Sequence, residues 1–206
     1  VNVVAEPYVA LEPPAIEEVE AERLAERFVA EATAVDAQVV VASDFEGARQ
    51  QVRHWLAEHK AQRIVCTATA RVAALELESL APPGCVVQSV DAFASQAERR
   101  AALLVADVGI SEVDAALADT GTLVELSGSG RGRLVSLLPP VHIALVSRRN
   151  LFPDLATFFR AFKIREQTHT NSGITFITGP SRTADIEQIL TLGVHGPGVL
   201  CIALVD

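Results

Sequence analysis

The sequence contains no apolar run approaching the ~20 residues that a membrane helix requires, which excludes a helical membrane span. Cysteine is scarce: Cys66, Cys85 and Cys201 lie far apart, each inside or beside an apolar run, so neither a disulfide framework nor a Cys-x-x-Cys metal site is expected. They read as buried free thiols. Positive charge is also scarce, and a net charge of −9 argues against general nucleic-acid binding, which needs a basic face to neutralise phosphates. The first residues are acidic where a secretory signal would be basic, and a soluble cytoplasmic protein is the expectation. No His, Cys or carboxylate spacing suggests a zinc or iron-sulfur site. There is no internal repeat and no convincing linker.

What is present is ample material for a core, since 50% of the 206 residues are hydrophobic. The first fifteen residues, with Pro7, Pro13 and Pro14, read as an extended arm. "AIEEVEAERLAERFVAEATAV" then repeats apolar residues at helical spacing. Residues 1–35 are therefore taken as arm plus amphipathic helix, and 36–206 as a single α/β domain. "QVVVAS", "RIVCTA" and "CVVQSV" read as buried strands, each followed by a helical segment: "DFEGARQQVRHWLAEHK" capped at Ser43 or Asp44, "TARVAALELESL", and "SQAERRAALL". This alternation predicts crossover units, a mostly parallel sheet and helices on both faces. Further on, "LVADVGISEVDAALADTGTLVEL" predicts a strand, a short helix over 112–117 and a second strand, with "SGSGRGR" as a flexible basic turn. "VHIALVS", "DLATFFRAF", "ITFITG", "TADIEQILTLG" and "VLCIALVD" read as strand, helix, strand, helix and strand. "REQTHTNSG" is the candidate mobile loop.

Two turns near the end concentrate chemistry. Gly179-Pro180 followed by Ser181, Arg182 and Thr183 would place hydroxyls and a guanidinium beside the free amides of the expected helix, an anion cradle at a strand's carboxyl end. The plainer alternative is a capped helix, with Asp185 and Glu187 offsetting its dipole; capping alone does not account for Arg182. "GVHGPG" would close that helix with Gly193 as a left-handed cap and leave His195 on a tight loop, as an acid, a base or a turn residue. His142, among apolar residues in "LLPPVHIAL", reads more readily as a core histidine. Asp119, Thr120, Gly121 and Thr122 sit at a strand entry, while Arg131 and Arg133 could reach an anion from a flexible turn; a plain hairpin explains that glycine-rich stretch equally.

Taken in order, "DAALADTGTLV", "SLLPPVHIALV" and "GPSRTADIEQILTLGVHGP" resemble the LUD-domain family of lactate utilization proteins. The resemblance implies a fold similar to the glucosamine- and ribose-phosphate isomerases and the CoA transferases. It also implies a place in a cytoplasmic system that oxidises L-lactate to pyruvate, whose companion proteins carry the iron-sulfur clusters. This chain, lacking cysteine motifs, is then a non-cluster subunit with no cofactor of its own. The ribose-phosphate isomerase acids have loose counterparts in Asp107, Glu112 and Asp114, without that family's lysine and glycine run. The glutamate nucleophile of CoA transferases would have to be matched by Asp119 or Glu125. The expected site has Arg182, Ser181, Thr183, Gly179 and Pro180 holding a small carboxylate or phosphate, with Arg133 within reach. Thr120, Gly121 and Thr122 form the opposite wall, and His195, His142 or Asp119 serve as catalytic groups. A free-standing isomerase, CoA transferase or folate-type ligase, and a purely structural assembly subunit, stay open. The acidic opening helix is a candidate docking or oligomer element.

Overall fold

The computed structural model describes residues 17–128, 131–166, 173–184, 190–193 and 195–205. The proposed arm, most of the candidate mobile loop, and Asp185 and Glu187 lie outside these residues.

Helix α1 (Glu18–Ala34) is the amphipathic opening helix, and it buries Leu24, Ala25, Phe28 and Ala32. It leads into strand β1 (Gln38–Val41) and helix α2 (Phe45–Glu58), which Asp44 caps by accepting the Gly47 amide at 2.7 Å. Strand β2 (Arg63–Cys66) follows. The expected single helix after it is two short ones, α3 (Ala70–Ala73) and α4 (Leu77–Leu80), broken where Glu76 turns left-handed. Strand β3 (Val86–Ser89) and helix α5 (Gln96–Leu104), capped by Ser95, complete the third unit.

Beyond α5 the chain departs from the expected pattern. Strand β4 (Val108–Glu112) is followed by strands β5 (Ala115–Leu117) and β6 (Thr122–Leu126), so no helix forms over 112–117. The alanine-rich composition suggested helix, but Ala115 to Ala118 are all buried, and pairing with two neighbouring strands outweighs helical propensity. A 3-10 turn (Arg133–Val135) then leads to strand β7 (Val141–Ser147), the short β8 (Leu151–Phe152) and helix α6 (Leu155–Glu166). Strand β9 (Ile174–Ile177) precedes β10 (Arg182–Ala184), β11 (Leu190–Leu192) and β12 (Val199–Val205).

These strands form a six-stranded sheet in the order β1-β12-β7-β4-β2-β3, parallel throughout, and a four-stranded sheet in the order β8-β5-β6-β9. Alternation along the large sheet separates two cores. Val108, Ile110, Ile143, Leu145 and Ala203 face α2, α3 and α4. Ala144, Val146, Ile202 and Leu204 face α1 and the small sheet, while Val65 meets α5 through Leu103. Helices thus cover both faces, as the alternation of strand and helix predicts. Among the described residues no helix is long and apolar enough to cross a membrane.

One contact sets up the site. At Gly109 of β4 an added Cβ would stand 2.0 Å from the Val135 carbonyl oxygen, so only glycine lets the 3-10 turn lie directly on the sheet. That approach carries Ser136 in between the sheets.

Candidate functional site

Among the described residues the helix expected after Thr183 does not form. Arg182–Ala184 pairs antiparallel with Leu190–Leu192, Thr183 opposite Thr191, and residues 185–189 between them lie outside the described set. The expected cradle therefore has no helix N-terminus among the described residues: the Thr183 to Ala184 backbone is a strand, and Gly193 follows a strand instead of capping a helix. The run "ILTLG" fits the period of a buried strand as well as that of a helix, an ambiguity inherent in short apolar segments.

The two turns nevertheless converge. The Ser181 amide donates to the Pro197 carbonyl at 2.8 Å and the Gly193 amide to the Ser181 carbonyl at 2.9 Å, strapping the His195 loop to the Gly179–Arg182 turn. Together they wall a cavity of ≈ 300 Å³ whose lining includes Pro180, Ser181, Arg182, His195 and His142. His195 and Arg182 thus share one cavity with His142. It does not sit at the carboxyl edge of the parallel sheet. His142 and Leu200 lie near the amino ends of β7 and β12, and the far wall is β9 of the small sheet. Gly179 is held by the fold: an added Cβ would come 2.4 Å from the Val35 carbonyl oxygen at the end of α1. There the Arg182 guanidinium pairs with Asp36 at the half-exposed mouth.

His142 is fully buried. Its Nε2 is 2.9 Å from Ser111 Oγ, which in turn is 2.5 Å from Glu125 Oε1; Ser136 Oγ stands 2.5 Å from Glu125 Oε2. Strands β4 and β7 of the large sheet supply Ser111 and His142, β6 of the small sheet supplies Glu125, and the 3-10 turn supplies Ser136. Burial keeps the imidazole neutral, its pKa pushed down to about 3. Burial also raises the Glu125 carboxyl above its ordinary value, against the opposing effect of both serine hydroxyls. Ser111 and Ser136 were not foreseen, and Glu125 was considered only as a nucleophile. The available signal was a glutamate and a serine at inward positions of strands that are otherwise apolar.

The other expected residues are placed differently. Asp119, Thr120 and Thr122 do not line the cavity. Thr122 bonds Thr120 and Thr178, each at 2.8 Å, so they brace the β9 exit from behind. Gly121 packs on the α1 backbone. Arg133 lines a separate small crevice beside Asp114 and Glu125. Arg131 is bound 2.8 Å from Asp114, which also accepts the Leu126 amide. The three acids compared with the isomerase pattern are dispersed: Asp107 accepts the Gln62 and Arg63 amides, Glu112 pairs with Arg71, and Asp114 holds Arg131. Each has a structural partner.

Fold and cavity together define an α/β protein with a parallel sheet, a second sheet stacked on it, and a ligand-sized cavity between them. The chain belongs to the LUD domain family, whose profile matches residues 25–205. It is similar to a protein named lactate utilization protein C from Halalkalibacterium halodurans, 44% identical over 103 residues, covering 49% of this chain and 45% of that protein. The protein of the same name from Macrococcus caseolyticus is 37% identical over 129 residues, 60% of this chain and 56% of the relative. The chain matches about half the length of these curated relatives. A crystal structure of a DUF162 family protein from Deinococcus radiodurans superposes with a TM-score of 0.59 over 93% of this chain and 100% of that one; at 20% identity it supports the fold.

Proposed function

We propose that this chain serves lactate utilization as a subunit without a cluster of its own, holding a small carboxylate such as lactate or pyruvate between its two sheets and working beside iron-sulfur partner proteins. The observation that carries the reading is the cavity, in which Arg182, Ser181, His195 and His142 come from distant parts of the chain to one ≈ 300 Å³ space. The metabolic role comes from the relatives' name and is extended to this chain by the family match. In this reading the anion docks at the mouth. A guanidinium offers a carboxylate two parallel donors, and the exposed Asp36 carboxylate is the group it exchanges with. Ser181 and His195 then bracket the bound carboxylate. Arg182 replaces the helix amides as the main source of positive charge.

The test is calorimetric titration of L-lactate, pyruvate and inorganic phosphate into the chain and its Arg182→Ala variant. The variant is expected to bind the carboxylates at least about fivefold more weakly, the loss of one charged hydrogen-bonding group. Equal affinity in the variant overturns the anion site. Purification of the tagged protein from cells grown on L-lactate addresses the assembly. Recovery with cysteine-rich iron-sulfur proteins and lactate-dependent dye reduction supports the subunit role. Recovery alone, with turnover of a sugar phosphate or a CoA ester, overturns it.

A further inference from the structure

From β2 the chain runs outward to β3, then returns to lay β4 on the opposite side of β2. Such a reversal opens a crevice beyond the carboxyl ends of the strands, where parallel sheets hold their ligands. Here the crevice contains a cavity of ≈ 530 Å³, at the other end of the strands from His142 and Leu200. Its polar lining is Thr67 and Thr69 after β2, Glu78 of α4, and Ser89 and Asp91 at the end of β3. Backbone bonds fix this floor. The Thr67 amide donates to the Ile110 carbonyl at 3.0 Å and the Val90 amide to the Cys66 carbonyl at 2.9 Å. The Ala92 amide donates to the Ser89 carbonyl at 3.0 Å, closing the turn that carries Asp91. Val72, Leu77 and Val87 supply an apolar wall.

The lining selects a kind of ligand. It contains two carboxylates and no lysine, arginine or histidine, so its charge disfavours a carboxylate or phosphate there. Asp107, Glu112 and Asp114 each have a structural partner, whereas Glu78 and Asp91 make no hydrogen bond or ion pair among the described residues. Both act on one point: after burial, the charges of Glu78 and Asp91 push the Cys66 thiol of the floor up to about 11. Thr69 is buried, and its hydroxyl has no partner among the described residues. An ammonium can only donate, which would serve the carboxylates and not the hydroxyls. A ligand hydroxyl donates to the first and accepts from the second. We propose that this cavity is a second binding site, taking the vicinal diol of an uncharged sugar or nucleoside, with Asp91 accepting from its hydroxyls. An acid just past the neighbouring strand is where parallel nucleotide-binding sheets hold ribose hydroxyls. Glu78 adds a second acceptor, and the valine and leucine wall suits the carbon face of a sugar or a base. No residue is shared with the Arg182 cavity, so the site stands or falls independently of the carboxylate reading.

Calorimetric titration of adenosine, D-ribose, their 2-deoxy counterparts and tyramine into the full chain tests the inference. Adenosine bound without ribose assigns a nucleoside, and ribose bound at least as tightly as adenosine assigns the sugar itself. The deoxy counterpart of whichever binds has lost the diol and is expected to bind about tenfold or more weakly. Asp91→Asn, at an exposed position, should keep the parental melting temperature and weaken the diol ligand by about tenfold. Failure of both adenosine and ribose to bind at millimolar concentration overturns the inference. Equal affinity of the deoxy compound, or of the Asp91→Asn variant for the diol, does the same. Tyramine bound more tightly than either diol overturns it in favour of an organic cation.

Discussion

Gly121 separates scaffold from site. Its residue type and its place between Thr120 and Thr122 suggested ligand contact, yet it adopts φ +62° and presses against α1, where an added Cβ would lie 2.2 Å from the Ala32 nitrogen and 2.5 Å from its Cα. Two costs follow in Gly121→Ala. Holding an L-residue in the left-handed region costs about 1–2 kcal/mol. The clash is with helix backbone, which cannot rotate away as a side chain would, so α1 must shift off the core it seals with Phe28 and Ala32; such overpacking costs about 1–3 kcal/mol. The total is about 2–5 kcal/mol of the 5–15 kcal/mol typical of a domain, or a fall in Tm of roughly 5–15 °C for a chain of this length. Urea titration and thermal melts measure it, with Gly128→Ala as control, since nothing lies within 4 Å of a Cβ there. The control should stay within about 0.5 kcal/mol of the parent. A Gly121→Ala variant that melts like the parent but loses lactate binding would refute this reasoning and return Gly121 to the site.

Other perturbations test the buried network and its surroundings. Below pH 6.5 the unfolded chain protonates His142 while the folded chain does not, so stability falls as pH falls; Glu125, its pKa raised, binds its proton first in the folded state and offsets that loss. Glu125→Gln removes the offset, and urea titrations should then show a steeper loss of stability as pH falls than in the parent; an unchanged pH profile would count against a raised Glu125. Asp114→Ala leaves the Arg131 charge and the Leu126 amide without their buried acceptor and should cost about 3–5 kcal/mol by denaturant titration, with a loss under 1 kcal/mol contradicting that role. Burial pushes the Cys66 thiol up to about 11 and Cys201 up to about 12, so native-state alkylation should modify the less buried Cys85 first, as mass spectrometry of peptides would show; rapid labelling of Cys201 would indicate local opening at β12.

The parallel sheet was legible because its evidence is local. Short β-branched runs such as "QVVV" and "RIVC", each followed by a capped helix, declare a crossover unit within about thirty residues. Asp44, one of the two candidate caps, does cap its helix. The second sheet was harder to see because its strands gain their stability from partners far along the chain. Ala115–Leu117 has little strand propensity, and its pairing with Leu151 and Phe152 depends on residues more than thirty positions away. "TADIEQILTLG" misleads for another reason: its acidic opening and apolar spacing suit a helix, yet Arg182–Ala184 pairs locally with Leu190–Leu192.

The site shows the same limit one level higher. Arg182, Ser181 and His195 could be singled out because residues with few structural duties stood in tight turns, and the fold brings those turns together on one cavity without the helix amides they were expected to accompany. His142 looked like an ordinary core histidine for a sound reason: Ile143, Ala144, Leu145 and Val146 are as buried as any residues in the chain. What distinguishes it is a hydrogen-bonded chain through Ser111 to Glu125 that no stretch of sequence contains. Ser111 lies 31 residues before it and 14 before Glu125, and only the stacking of β6 on β4 and β7 brings the three into one hydrogen-bonded chain. Gly109 contributes by absence, admitting the turn that brings Ser136 to the second carboxylate oxygen. A Gly109→Ala substitution would therefore disturb the Glu125 hydrogen bonds from the Ser136 side of the carboxylate and shift the cavity wall that Ser136 helps to form.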